Sequence, residues 1–131
     1  NGAYLSTGGT WTNGSSRDFK EDFEELNGEE ILNKIDNLSV TKWKYKGTNE
    51  THIGPIAEEF KAQFNLGVKE DDKHISTIDA SGVALKAIQM LRLENKKLKM
   101  KNTEIEIKYE SQEQRIKALE SLLQKLLEEK K

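Results

Sequence analysis

Ser15 and Lys20, five positions apart, are of residue types that could do nucleophilic chemistry, although serine and lysine pairs of this kind are common in any chain. A hydroxyl attacks a carbonyl carbon only when a neighbouring base takes its proton, and a lysine amine does so only when neutral. Bringing an ordinary lysine from ~10.4 to near 7 requires about 3 units, roughly 4 kcal/mol, drawn from burial or nearby positive charge. Arg17 and the lysines at 42, 44 and 46 are available for this only if they approach Lys20. His52 is a third candidate, able to orient a partner or the carbonyl under attack, and equally suited to a structural place before a helix. The same residues also carry a plainer reading, in which Ser15 and Ser16 cap a helix and Lys20 is a surface lysine.

Residues five apart lie about 140° apart around an α-helix, so Ser15 and Lys20 cannot share a helical face. Ser15 must therefore sit in a loop that folds back. The NGSS run, with Gly14 and no side chain there, gives that freedom.

Composition removes several competing chemistries. With no cysteine and two isolated histidines among 131 residues, disulfides, thiolate catalysis and a metal centre are not expected, and no cofactor is called for. A formal net charge of -2 with mixed signs offers no concentrated basic face for nucleic acid. No apolar run approaches the ~20 residues of a membrane span and the first residues lack a signal-peptide form, so a soluble chain with no membrane partner is expected. The charged fraction, 34%, equals the hydrophobic fraction, which leaves little apolar material for a large monomeric core. A free protease acting on other proteins would need a substrate cleft, whereas a pair whose substrate is its own neighbouring bond needs none.

The elements that must hold these residues fall into three stretches. Residues 1–14 belong to a Gly/Ser/Thr/Asn-rich tract, 1–16, with Tyr4, Leu5 and Trp11 as its anchors, and read as a linker or the tail of something upstream. Residues 15–80 alternate short helical and strand signals. Asp18 with Glu21 has the form of a capping box ahead of a helical turn bearing Phe19 and Phe23, and Asn27 with Glu30 repeats it before the face Ile31, Ile35, Leu38. Thr41, Trp43 and Tyr45 alternate with Lys42, Lys44 and Lys46 as in a half-buried strand with a basic outer side. Pro55 suits the first position of a helix beginning just after Gly54, with Ile56, Phe60 and Phe64 on one stripe. A polar loop and a short strand are expected over GVKEDDKHISTID.

Residues 81–131 belong to one long helix, starting near Asp79 as N-cap and running about 50 residues or about 75 Å. Ile88, Leu91, Asn95, Leu98, Asn102, Ile105, Tyr109, Gln112, Ile116, Leu119, Leu123 and Leu126 step by three and four without a slip. Such a seam predicts an intermolecular, left-handed coiled coil, because a domain of about 60 residues cannot cover so long a stripe. Asn95 and Asn102 at a positions and Gln112 at d fix register at a cost in stability, and an a-position Asn by itself leans toward two strands. The heptads alone leave dimer and trimer open. The expected class is α+β, a small mixed domain followed by this coiled coil.

Three segments in order carry a family resemblance. SSRDFKEDF at residues 15–23 resembles the Ser-(Asp/Ser)-x-x-x-Lys opening of the endosialidase-type intramolecular chaperone domains. HIGPIAEEF at residues 52–60 resembles their His-Ile-Gly-x-Ile-Ala-Gln-Glu segment, and Ile78, Asp79 and Gly82 match the closing (Val/Ile)-Asp-x-x-Gly before a long helix. The resemblance spans residues 15 to about 95.

That resemblance implies a homotrimeric module at the C-terminus of a phage tailspike, tail fibre or neck appendage protein. It would help the upstream passenger of the same polypeptide trimerise and fold in the host cytoplasm, then leave the maturing particle by autoproteolysis. It maps a catalytic Ser–Lys dyad onto Ser15 and Lys20 with the scissile bond at Gly14/Ser15, and its histidine onto His52. A permanent trimerisation or coiled-coil adaptor without proteolysis is the alternative. Two positions depart from the pattern: Ser16 stands where many relatives carry Asp, and Glu58 where Gln is usual. A carboxylate beside Lys20 would hold its amine protonated and slow cleavage.

Overall fold

The computed structural model describes residues 2–129. Asn1 at the head of the 1–14 stretch, and residues 130–131 at the end of the expected coil, lie outside them.

The fold is α+β: two small antiparallel β-ribbons and two short helices precede one long helix. The first ribbon pairs β1 (Tyr4–Leu5) with β2 (Trp11–Thr12), Tyr4 opposite Thr12 and Leu5 opposite Trp11. Ser6 makes the turn between them, receiving Gly9 N–H on its carbonyl and Thr10 N–H on its hydroxyl, while Gly9 takes the positive φ that a side chain would resist. This stretch, expected as a linker, thus has local order, yet Leu5 and Trp11 stay exposed.

Helix α1 (Gly28–Asp36) begins where Asn27 accepts from the N–H groups of Glu29 and Glu30. The cap forms as expected, but the Glu30 carboxylate pairs forward with Lys34 at 2.6 Å instead of reaching back to close a capping box. Strands β3 (Thr41–Trp43) and β4 (His52–Gly54) form the second ribbon, with Trp43 opposite His52 and Lys42 opposite Ile53. The alternating run through Lys46 was expected as one strand; pairing stops at Trp43 opposite His52, and Lys44 and Thr51 beyond that pair lie outside the ribbon.

Helix α2 (Ala57–Phe64) starts later than Pro55 suggested, with extended Ile56 as its N-cap. Proline disfavours the helical region for the residue before it, so Gly54 stays in β4 and the helix waits two residues. At its other end Asn65 turns left-handed, and Lys61 Nζ donates to the carbonyls of Leu66 and Val68 at 2.9 and 3.0 Å.

Helix α3 (Thr77–Glu128) runs 52 residues, about 78 Å at 1.5 Å per residue. Its N-cap is Ser76, whose hydroxyl accepts from Ile78 N–H, so Asp79 falls in the first turn where its charge suits the dipole. The strand expected just before it is absent, because the Ser76 cap takes those residues for the helix start.

The core lies where α1 and α2 meet the first turns of α3. Ile31, Phe60, Val83 and Ala87 are buried, with Leu32, Ile35, Leu38, Phe64 and Ile75 packed around them. Phe60 and Phe64 rings lie 4.9 Å apart, on the stripe their spacing predicted. Beyond Met90 the long helix has no cover, and the apolar seam residues from Leu91 to Leu126 are exposed.

Candidate functional site

One turn of 3₁₀ helix, Arg17–Phe19, stands between Ser15 and Lys20. The Ser16 hydroxyl caps it by accepting from Asp18 N–H at 3.3 Å, and Lys20 closes it by donating its N–H to the Arg17 carbonyl at 3.1 Å. The capping box of Asp18 and Glu21 does not form, since Ser16 takes that role, and no helical turn joins Phe19 to Phe23. Asp22 adopts a positive φ of 51°, which breaks any helix there.

The tight turn brings the two ends of its segment together. Lys20 Nζ lies 2.7 Å from Ser15 Oγ and donates to it. That distance is within reach for proton transfer once the amine is neutral, when the same contact runs in the opposite sense. The helical-face objection is met as the spacing required: Ser15 lies outside the turn, and the chain folds back on itself.

The surroundings of this pair are open. Ser15 and Lys20 are both exposed, as are Phe19, Phe23 and Leu26 beyond them. The Arg17 guanidinium lies over the Phe23 ring at 4.5 Å, which directs its charge to an aromatic face. Glu58 is also accounted for: its carboxylate accepts from Lys73 Nζ at 2.7 Å. That hydrogen bond, followed by a backbone N–H and the lysine's charge, holds the Glu58 carboxyl below its usual range, and the same bond raises Lys73. The carboxylate expected to trouble Lys20 is therefore committed to another lysine.

His52 sits in β4 and not in a loop before a helix. Its ring lies 5.0 Å from Trp43 and 5.6 Å from Tyr45, and Trp43 and Tyr45 meet edge to face at 5.0 Å. The Nε2 atom of His52 and the indole nitrogen of Trp43 are buried and lack a hydrogen-bond partner. The nearest acid to His52 is Glu50, 3.9 Å from Nε2. No hydrogen bond, ion pair or ring contact among the described residues joins His52 to Ser15 or Lys20, and the 3₁₀ turn does not touch β3 or β4. Trp43 and Tyr45 carried a signal in the sequence, their alternation with lysines, but only the ribbon register shows them flanking His52.

The apolar seam residues Ile88, Leu91, Leu98, Ile105, Tyr109, Ile116, Leu119, Leu123 and Leu126 stand exposed along one helix with no cover from their own chain. Asn95, Asn102 and Gln112 interrupt them at the expected places. Among the described residues no cluster of side chains could hold a metal ion, and no helix is long and apolar enough to cross a membrane.

Residues 15–69 match the model of the family described as chaperone of endosialidase, which bears a peptidase family name. The matched segment begins at Ser15 and contains Lys20, His52 and the HIGPIAEEF run, so the resemblance read from those motifs holds over it. No curated protein and no solved structure matches the chain.

Proposed function

We propose that this chain, which carries an endosialidase-type chaperone domain over residues 15–69, assembles three upstream chains through α3 and then severs itself from them at Gly14/Ser15. The observation that carries the reading is the 2.7 Å contact between Lys20 Nζ and Ser15 Oγ, held by a turn inside the matched segment.

The chemistry follows from adjacency. Ser15 supplies both the nitrogen of the scissile bond and the hydroxyl that attacks it, so attack within the chain closes a five-membered ring. Neutral Lys20 accepts the hydroxyl proton as Ser15 Oγ bonds to the Gly14 carbonyl carbon. The Gly14–Ser15 C–N bond then breaks, and the departing Ser15 amine takes the proton back from Lys20. The product is an ester between the Gly14 acyl group and Ser15 Oγ. Water attacks that ester, and hydrolysis yields a Gly14 carboxylate and restores the Ser15 hydroxyl, now on a free N-terminus. No cofactor and no external substrate enter the balance.

The coiled coil serves the first half of the task. Twelve seam positions without a cover in their own chain favour parallel copies in register, which would gather the passenger ends that precede residue 1. The trimeric state, the phage fibre or appendage passenger, and assembly in the host before release from the particle are part of the proposal and are supported by the family resemblance alone. Residues 1–14 would remain with the passenger as its tail, and their ribbon, without a buried residue, suits a piece that must part cleanly.

A time course at constant temperature tests the reading. The parent chain is expected to convert to two fragments while Ser15→Ala and Lys20→Ala stay intact and keep the parent's oligomeric state. A parent that stays whole as a folded oligomer would instead make it the permanent adaptor.

A further inference from the structure

The flanks of the α3 seam carry charges that their own chain leaves almost unused. With Ile88 at a, the g positions after Ala87 are Glu94, Lys101, Lys108, Arg115 and Leu122, and the e positions are Arg92, Lys99, Glu106, Glu113, Glu120 and Leu127. These positions border the seam on its two sides, so they lie on the one face that a partner helix must cover. Among the described residues Glu113 alone of these charged groups has an ion pair, with Lys117 at 3.4 Å, and both of those side chains are more than half exposed.

In a parallel, in-register coiled coil the g residue of one helix lies beside the e residue of the next heptad on its neighbour. In this chain that places Glu94 beside Lys99, Lys101 beside Glu106, Lys108 beside Glu113 and Arg115 beside Glu120, every pair of opposite sign. The next pair is Leu122 with Leu127, both exposed, which widens the apolar face where the seam runs unbroken from Ile116 to Leu126. The series starts where the helix becomes free, for Ala87, the g position before Glu94, is buried against the small domain of its own chain.

Other arrangements lose this match. With the seams overlapped antiparallel, Ile88 beside Leu126, Lys101 meets Arg115 while Lys108 and Glu106 each meet their own copies, which offsets the attraction of Arg92 for Glu120 and of Lys99 for Glu113. A parallel pair slipped by one heptad sets Glu94 beside Glu106 on one side and Lys101 beside Lys99 on the other, and puts Leu122 against Glu120 in place of Leu127.

We infer that these flanks form a charge code by which α3 accepts as partner only a parallel, in-register copy of the same helix. The inference rests on the assembly half of the function proposed above. It is independent of cleavage and of whether two chains or three close the ring, because every interface of a ring repeats the same g-to-e pairs. The code acts through choice of partner: exposed ion pairs add little affinity each, whereas like charges brought together reject the wrong arrangement. Asn95, Asn102 and Gln112 leave the middle of the seam weak, and it is there that the charged pairs stand. Register matters to the upstream chains, since a slip of one heptad shifts one passenger end about 10 Å along the axis from its neighbours.

Exchanging the signs tests this by sedimentation equilibrium. The g variant carries Glu94→Lys, Lys101→Glu, Lys108→Glu and Arg115→Glu; the exchanged variant adds Lys99→Glu, Glu106→Lys, Glu113→Lys and Glu120→Lys. Four attractions become repulsions at each interface of the g variant, so its association constant should fall by at least about 100-fold. The exchanged variant regains every attraction with the signs reversed and should associate as the parent does, which also controls for tolerance of the substitutions. Refolded together in equal amounts, size-tagged parent chains and exchanged chains should sort into two populations of pure oligomers, because every mixed interface repels. Statistical mixing, or a g variant that associates as tightly as the parent, would overturn the inference and leave the assembly proposal in place; a monomeric parent would remove both. Orientation has its own readout. The chain has no cysteine, so Asn95→Cys should link chains through equivalent seam positions on oxidation. In the antiparallel arrangement Asn95 faces Leu119, about 36 Å along the axis from its own copy, and an oligomer of the parent's size without linkage would refute the parallel code.

Discussion

Leu119→Ala removes one d-position side chain from the seam, and the structure sets the size of the loss. Leu119 is 64% exposed in its own chain, so most of its surface is available to be covered by partners. Full burial of a leucine stabilises by roughly 1.5–3 kcal/mol, and the available share corresponds to about 1–2 kcal/mol per chain. In the proposed trimer three chains lose it together, about 3–6 kcal/mol in all, which is on the order of a 100- to 10,000-fold fall in the association constant. Ile107→Ala is the control: Ile107 is 62% exposed but sits two residues after Ile105, on the side of α3 away from the seam. Sedimentation equilibrium over a dilution series should show the Leu119 variant dissociating at far higher concentration than the parent, with the Ile107 variant close to the parent. Equal behaviour of the two variants would refute the seam as the interface, since the helix loses nearly the same exposed apolar surface in both.

Three further outcomes follow from the packing and the charges. Lys20→Arg should stop cleavage as fully as Lys20→Ala, because a guanidinium cannot be deprotonated in this range, and intact mass after prolonged incubation checks it. Phe60→Ala empties the centre of the small core, where such a change costs about 3–5 kcal/mol, so near-ultraviolet dichroism should lose its aromatic signal while helical dichroism from α3 persists. Glu58, held below the ordinary glutamate value of 4.5 first by its hydrogen bond from Lys73, stabilises the fold above that pH and loses this contribution as pH falls through its depressed value; Glu58→Gln should flatten the acid limb of a melting-temperature profile.

Much of this architecture was legible because its signals are long or local. The seam repeats over many turns, so α3 and its uncovered face could be read directly, and Asn27 could be read as a cap because capping depends on the next three residues. What failed to read were choices between neighbours. Ser16 and Asp18 compete to cap the same turn, as do Ser76 and Asp79 for α3, and in both places the earlier hydroxyl takes the backbone N–H. The ribbons depend on which residues find partners across a turn, so β1 and β2 were missed, and the basic strand was drawn past Trp43. The spacing of Ser15 and Lys20 required a fold-back if they were to meet and the 3₁₀ turn supplies one, but the separation of His52 from that pair is a matter of tertiary placement that no single motif carries. Glu58 illustrates the same limit, for its sequence position suggested Lys20 while its partner is Lys73, fifteen residues on.

The central claim is that this chain cuts its own backbone immediately before Ser15, and intact mass spectrometry of the assembled oligomer, fresh and after incubation, tests it most directly. The account predicts two new species, residues 1–14 ending in a free carboxylate and residues 15–131 beginning with a free Ser15 amine, both absent from Ser15→Ala. Fragments ending elsewhere, the same fragments from Ser15→Ala, or a parent that stays whole in its folded oligomer would contradict it.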